Sequence, residues 1–360
     1  MALEPPRHGH SPMAPITRPP RPRRGPLRRI GRALAVLLLL GIAAAALLPL
    51  LIPTKPLAVE STAQEAATEE SRFLEIPFPG TDGLRIHYLA EGPAGDAPAS
   101  APGFLLLHGF TFNAFTWREL LPELAAHGRA VAYDQVPYGL SAKPTAAEWS
   151  GPSPFTPEAA VDHLLAVQEA LGMERTVLVA NSVGSAIALN ATLRAPGRVA
   201  GLVLINPKSV VNRPTLPQWL AETPQLYRLG LWGSRWLGQS TALLEASYHD
   251  ESRITAADRR FATLHARTPG WDLAWAQVMQ RALTNPLERS EDVDRIEAPV
   301  LILVSEQDEI VPPEDPRGLA EALPRSRLVT LEDCGHAAQQ ECPGQVHEAI
   351  AAWLAERRAQ

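Results

Sequence analysis

The stretch Leu178-Val179-Ala180-Asn181-Ser182-Val183-Gly184-Ser185-Ala186 constrains the fold more than any other part of the chain. An apolar, β-branched run ends on a serine, and an alanine-rich run begins just after it. Thr176 to Ala180 reads as a buried parallel strand and Ala186 to Leu193 as a short helix. A serine between them stands at the carboxyl end of a strand, where its hydroxyl projects above a sheet. Small residues two positions to either side let strand and helix pass closely, and here they are Ala180 and Gly184. Glycine is the usual occupant of both positions, so Ala180 fits only if its backbone avoids positive φ. Strings of this kind also arise by chance at helix starts, so the reading depends on the rest of the chain.

A serine hydroxyl is a poor nucleophile near neutral pH and needs a histidine base, a carboxylate to orient it and donors for a developing oxyanion. Each belongs at a strand's carboxyl end. Pro299 to Val304 is a continuous apolar run followed by Ser305-Glu306-Gln307-Asp308, which puts Asp308 four residues past a buried strand. Arg327 to Leu331 is another such run, followed by Glu332-Asp333-Cys334-Gly335-His336, where the glycine lets the chain turn and present the imidazole. Glu306, Asp134 and Asp333 also follow strands and compete with Asp308 for the carboxylate role, Asp134 reading better as the support of its own loop. Asp308 has the further reading of a loop or helix-entry residue. Gly103 to Leu107 runs into His108-Gly109-Phe110, so the amide of Phe110, with that of Val183, would form a two-donor oxyanion hole. His108 would brace that loop.

The order Ser182, Asp308, His336, together with His108-Gly109-Phe110, Asp134 to Ser141 and Glu341-Cys342-Pro343, resembles the α/β-hydrolases from about Phe73 to Gln360. Asp134-Gln135-Val136-Pro137-Tyr138-Gly139-Leu140-Ser141 matches the D-x-x-G-x-G-x-S loop of that superfamily except that Pro137 replaces the first glycine. The resemblance implies a Ser182–His336–Asp308 triad acting through an acyl-enzyme, with no cofactor. Haloalkane dehalogenases and epoxide hydrolases share the loop and cap pattern, but their chemistry requires a carboxylate nucleophile where this chain has Ser182. The elbow, the loop after His108 and an apolar amino-terminal run together resemble membrane-bound monoacylglycerol lipases. The Asn-Ser-x-Gly elbow resembles meta-cleavage product hydrolases as well, which leaves a carbon–carbon bond hydrolase as the alternative reaction. A ligand-binding protein on the same fold is the non-enzymatic reading.

Apolar runs near 73–78, 84–90, 103–107, 129–133, 176–180, 200–205, 299–304 and 327–331 predict an eight-stranded, mostly parallel α/β sheet flanked by helices. Thr156 before Pro157 predicts a helix start, and that helix should end near Leu171-Gly172. About ninety residues separate the strand ending at Asn206 from the one opening at Pro299, far more than a crossover needs, and a helical cap is expected over residues 207–298. It holds Trp219, Trp232, Trp236, Trp271 and Trp275. Most of these rings should glue the cap together, with one or two lining a substrate pocket. Lys208 and Arg213 follow the strand end, where they either meet a substrate carboxylate or are ordinary surface cations.

Residues 1–32 carry eight arginines against the single acid Glu4, with eight prolines, and are expected to be disordered. The charge-free run 33–52 has the length of a transmembrane helix. With the arginines before it, the amino terminus should be cytoplasmic and the catalytic domain extracytoplasmic. A cleaved signal peptide is the alternative, though its apolar core would be shorter. Residues 53–72 then form a tether, 73–206 the first part of the hydrolase core and 299–360 the second. The net charge of -6 points to neither nucleic acid nor an acidic tail. No cluster of His, Cys, Asp and Glu has metal spacing, and no nucleotide-binding glycine motif occurs. An extracytoplasmic setting would permit a Cys334–Cys342 disulfide, with two reduced cysteines the other possibility. The expected partners are a small-molecule or lipid ester and the membrane, and the sequence is silent on oligomeric state.

Overall fold

The structure, a computed structural model, describes residues 26–59, 61–92, 103–210 and 214–359. It consists of two compact units, Met1–Leu48 and Pro49–Gln360. The basic segment before Pro26 and Arg213 lie outside the described residues. Within the first unit, Pro26–Leu47 is one helix. The stretch Ile30–Leu51 has a mean hydropathy of 2.8 and only 6% of it is buried, so it has the length and composition of a membrane span or a signal sequence.

The second unit is built on an eight-stranded sheet: β1 (Arg72–Ile76), β2 (Leu84–Glu91), β3 (Gly103–Leu107), β4 (Ala130–Tyr133), β5 (Thr176–Asn181), β6 (Val199–Ile205), β7 (Val300–Ser305) and β8 (Ser326–Leu331). Their spatial order is β1-β2-β4-β3-β5-β6-β7-β8. β1 and β2 pair antiparallel, as do β2 and β4, while every other pairing is parallel. The central strands are near-continuous apolar runs because helices cover both faces; all of β4, β5, β6 and β7 is buried. Each fully buried Val or Leu there contributes roughly 1.5–3 kcal/mol. The predicted strands agree with these bounds to within two residues. Thr156 caps Pro157–Ala170 by accepting from the Ala159 amide, and Gly172 follows that helix at φ 64°.

The order in which strands are added switches side at β3, with β4 on one flank and β5 on the other, which opens a crevice at the carboxyl ends of β3 and β5. Between β6 and β7 the chain leaves the sheet to form helices, the longest being Pro224–Gly238 and Trp271–Thr284, packed on each other. Residues 50–57, which include the start of the segment expected to be a tether, are seated on these two helices. Arg228 donates to the carbonyls of Leu50 and Ile52, both at 2.6 Å, and Arg235 donates to those of Pro53 and Lys55, both at 2.7 Å. Asp272, fully buried, accepts from Arg235 and from the Leu57 amide. Leu57 and Val59 pack on Tyr138, Trp271 and Trp275. Thr62 and Glu65 form a reciprocal cap on the turn Ala63–Ala66.

Candidate functional site

Ser182 follows β5 directly and sits at φ 54°, a left-handed conformation that costs a non-glycine residue on the order of 1–2 kcal/mol. Its neighbours hold it there. The Ser182 amide donates to Ile205 O at 3.1 Å, and its carbonyl accepts from Ser185 and Lys208 amides at 3.0 and 3.1 Å. The helix Gly184–Arg194 begins two residues on. A Cβ on Gly184 would lie 2.8 Å from the carbonyl oxygens of Leu107 and His108, so only glycine lets that helix cross β3 so closely. Ala180, two residues before the serine, lies within β5 and not at positive φ, which is why alanine is tolerated there. Gly109 also approaches the elbow: a Cβ on it would stand 3.1 Å from that of Ser182.

His336 and Asp308 come together as a buried pair, His336 Nδ1 lying 2.7 Å from Asp308 Oδ2. The other carboxylate oxygen accepts from the amides of Ile310 and Val311 at 2.8 and 2.9 Å, which fixes the plane of Asp308. The His336 carbonyl accepts from the side-chain amides of Asn181, 3.2 Å away, and Asn206, 3.0 Å away. The histidine loop is thereby tied to the residue preceding Ser182 and to the end of β6. Asn206 also donates to Ser305 Oγ and accepts from the Ser305 amide, linking β6 to β7. Neither asparagine side chain was singled out from the sequence. A signal was available for Asn206, which follows a strand as Ser182 does and sits at φ 44°, a conformation that asparagine tolerates.

Two of the three competing acids are engaged elsewhere, and the third faces outward. Asp134, fully buried, lies 2.8 Å from His87 Nδ1 and accepts from the amides of Ala114 and Leu140, both at 2.6 Å. Burial opposes its ionisation, but the His87 contact and these hydrogen bonds hold its carboxyl below the usual range. It organises the loop containing Pro137, whose bond to Val136 is cis, and Gly139, where a Cβ would overlap the Asp134 carboxylate. Asp333 pairs with Arg253, and Glu306 is exposed. His108 donates from Nδ1 to Gly109 O at 2.7 Å while its Nε2 accepts from the Gln135 amide at 3.0 Å. Burial pushes its pKa below the ordinary histidine value, so it stays neutral as a brace beneath the Gly109-Phe110 turn.

Glu341, one of the residues of the Glu-x-Pro string, is buried and accepts from the amides of Gly335, His249 and Asp250 at 2.6, 3.1 and 2.8 Å. It binds the histidine loop to the cap. A disulfide joins Cys334 to Cys342 across the same loop, with their Cα atoms 6.2 Å apart. Phe110, Ser182 and Val183 open onto a cavity of about 800 Å³ between the sheet and the cap. Among the described residues, neither the Phe110 nor the Val183 amide donates a backbone hydrogen bond. The walls are mainly apolar, including Phe155, Ile187, Leu226, Tyr227, Val278 and Met279. Among the described residues no tryptophan lines this cavity, contrary to the expectation for the cap. Trp271 and Trp275 are buried with His265 in the seam under the cap, where their hydrocarbon area serves packing, while Trp219, Trp232 and Trp236 face outward. Lys208 is at the cavity wall and is paired with Asp315 at 2.9 Å. No group of three or more metal-ligating side chains occurs among the described residues.

Residues 102–343 match the family described as alpha/beta hydrolase fold. An uncharacterized hydrolase, YugF, of Bacillus subtilis is 29% identical over 253 residues, covering 69% of this chain and 88% of that protein. The 2-hydroxymuconate semialdehyde hydrolase of Pseudomonas sp. (strain CF600) is 26% identical over 281 residues, 75% of this chain and 94% of that one. Among solved structures, a bacterial membrane phospholipase A superposes with a TM-score of 0.63 at 21% identity, covering 92% of this chain and all of that one. At that identity the likeness speaks for the fold alone.

Proposed function

The chain belongs to the α/β-hydrolase fold family, and from that premise we propose that it is a membrane-anchored serine hydrolase that cleaves carboxylic esters, with lipid esters such as monoacylglycerols as the substrate class. The observation that carries this reading is Ser182 held at φ 54° on the wall of a large apolar cavity, with a buried His336–Asp308 pair formed between the loops that follow β8 and β7. In this reading Ser182 Oγ attacks the ester carbonyl and its proton passes to His336 Nε2. Asp308, on Nδ1, holds the required tautomer and stabilises the imidazolium that forms. The amides of Phe110 and Val183 donate to the oxyanion, and removing one such donor typically costs about 100- to 1,000-fold in rate. His336 then returns the proton to the leaving alcohol. A water activated by the same histidine hydrolyses the acyl-Ser182 ester.

The apolar walls suit an acyl chain, which has no polar group to satisfy. The stretch Ile30–Leu51 suits an enzyme acting on substrates at a bilayer. Likeness to a semialdehyde hydrolase favours carbon–carbon bond cleavage as the second reading. Such a substrate carries a carboxylate, and Lys208, whose amide bonds the Ser182 carbonyl, is already neutralised by Asp315. That pairing favours the ester.

Fluorophosphonate labelling of the full chain in detergent, beside Ser182→Ala, tests the proposal. Labelling that maps to Ser182 and vanishes in the variant is expected. A folded protein that takes no label would overturn it.

A further inference from the structure

The cap exposes three tryptophans that the catalytic site does not use: Trp219 is 71%, Trp232 58% and Trp236 59% exposed. Two of them stand on the helix Pro224–Gly238. At about 100° per residue, Arg235 and Arg228 share one side of that helix; Trp232, Trp236 and Leu229 follow around it, and Leu226 and Gly230 come next. The arginine side grips the carbonyls of residues 50, 52, 53 and 55. The far side lines the cavity that contains Ser182, and Leu229 is both 44% exposed and part of that lining. The aromatic strip therefore lies between the clamped chain and the cavity's mouth.

We propose that this tryptophan face of the cap docks into the interfacial layer of the bilayer, so that a lipid ester enters the cavity past Leu229 directly from the membrane. The inference rests on the anchored reading of Ile30–Leu51. Chain continuity selects the occupant. The apolar stretch ends at Leu51, and the clamp already holds residues 50 and 52, so no slack separates the end of a span from this helix. With at most about 3.6 Å of reach per residue, the helix must lie at the membrane surface. Tryptophan is the side chain that favours that layer, its ring apolar and its N–H satisfied by headgroups or water.

The test uses the full chain in phosphatidylcholine vesicles whose lipids carry bromine close to the headgroup, compared with the Trp219→Phe/Trp232→Phe/Trp236→Phe variant. Of the eight tryptophans, Trp232 and Trp236 lie on this face and Trp219 is exposed on the preceding helix Gln218–Ala221, so about a quarter to a third of the wild-type emission should be quenched and almost none of the variant's. A second variant, Trp232→Glu with Trp236→Glu, should hydrolyse vesicle-borne monoacylglycerol about tenfold more slowly while cleaving a water-soluble butyrate at the wild-type rate. Equal quenching in wild type and Phe variant overturns the proposal. So does a chain that sediments with the vesicles while its tryptophans stay unquenched, whether they face water or a second copy detected by light scattering; that result leaves the anchor standing. Failure of the hydrolase reading shows separately, as absence of fluorophosphonate labelling on Ser182, and leaves the quenching comparison decisive for the docking face.

Discussion

Ser182, His336 and Asp308 are each buried and bound by named hydrogen bonds to strand ends, whereas Trp219, Trp232 and Trp236 on the cap are more than half exposed. The two regions answer to different physics. A group that must take or hold a proton has to be positioned within a few tenths of an ångström, and only the rigid sheet and its tight loops supply that. The cap has to enclose apolar matter of variable shape, for which many side chains serve equally. In the proposed reading, the sheet end determines which bond is broken and the cap determines which molecule is admitted.

The largest expected effect lies on the sheet side. Asp308→Asn removes the carboxylate from His336 Nδ1 while keeping the side chain's shape, and ester hydrolysis should fall about 10⁴-fold with the melting temperature little changed. An equal loss of activity and fold would make Asp308 a structural residue instead. Next comes the disulfide, which closes a loop of sequence separation 8 around the histidine. Chain entropy assigns such a loop about 2–3 kcal/mol, so Cys334→Ser with Cys342→Ser should lower the unfolding free energy from urea titration by that amount. A fall in activity beyond the fall in folded fraction would show that the bridge also sets the position of His336.

The cap side is probed by filling the cavity. Met279 lines it, and Met279→Trp should lower kcat/KM for long-chain esters about 10- to 100-fold relative to acetate, leaving acetate hydrolysis itself intact. Loss on both substrates would erase the division of labour between sheet and cap. The smallest effect concerns His163, buried beside Phe78, whose pKa burial pushes down to about 3. The folded protein refuses a proton that the unfolded chain accepts, so stability is full above about pH 6.5 and declines as the pH falls from there toward 3. One unit below the unfolded value the loss is about 1 kcal/mol, and His163→Phe should remove that share of the acid slope in urea titrations at pH 7 and 5.5.

The difference between the two regions also explains what could be read from the amino acids. Eight apolar runs with turns at their ends predict the sheet, because a strand buried on both faces is apolar residue after residue. The placement of Ser182, Asp308 and His336 just past strand ends was legible because each follows such a run at a short, countable distance. The seating of residues 50–57 on the cap was not, since Arg228 and its partner Leu50 are 178 positions apart and backbone carbonyls leave no trace in the side-chain pattern. The only hint was two arginines seven apart on one helix. Asn206 was overlooked because an asparagine after a strand reads as an ordinary turn residue until its amide is seen to bond the His336 carbonyl. For the tryptophans, composition specifies a large apolar side chain but not whether it is packed beneath the cap, as Trp275 is, or stands outside, as Trp232 does.

The central claim is that the reaction proceeds through an ester formed on Ser182. Mixing the 360-residue protein with p-nitrophenyl octanoate, quenching in acid during turnover and analysing the tryptic peptide Thr176–Arg194 by mass spectrometry tests it most directly. An octanoyl group on Ser182 of that peptide, absent in Ser182→Ala, is the expected result. Turnover of the ester with that peptide unmodified, at every quench time and at a pH where deacylation is slow, would contradict it.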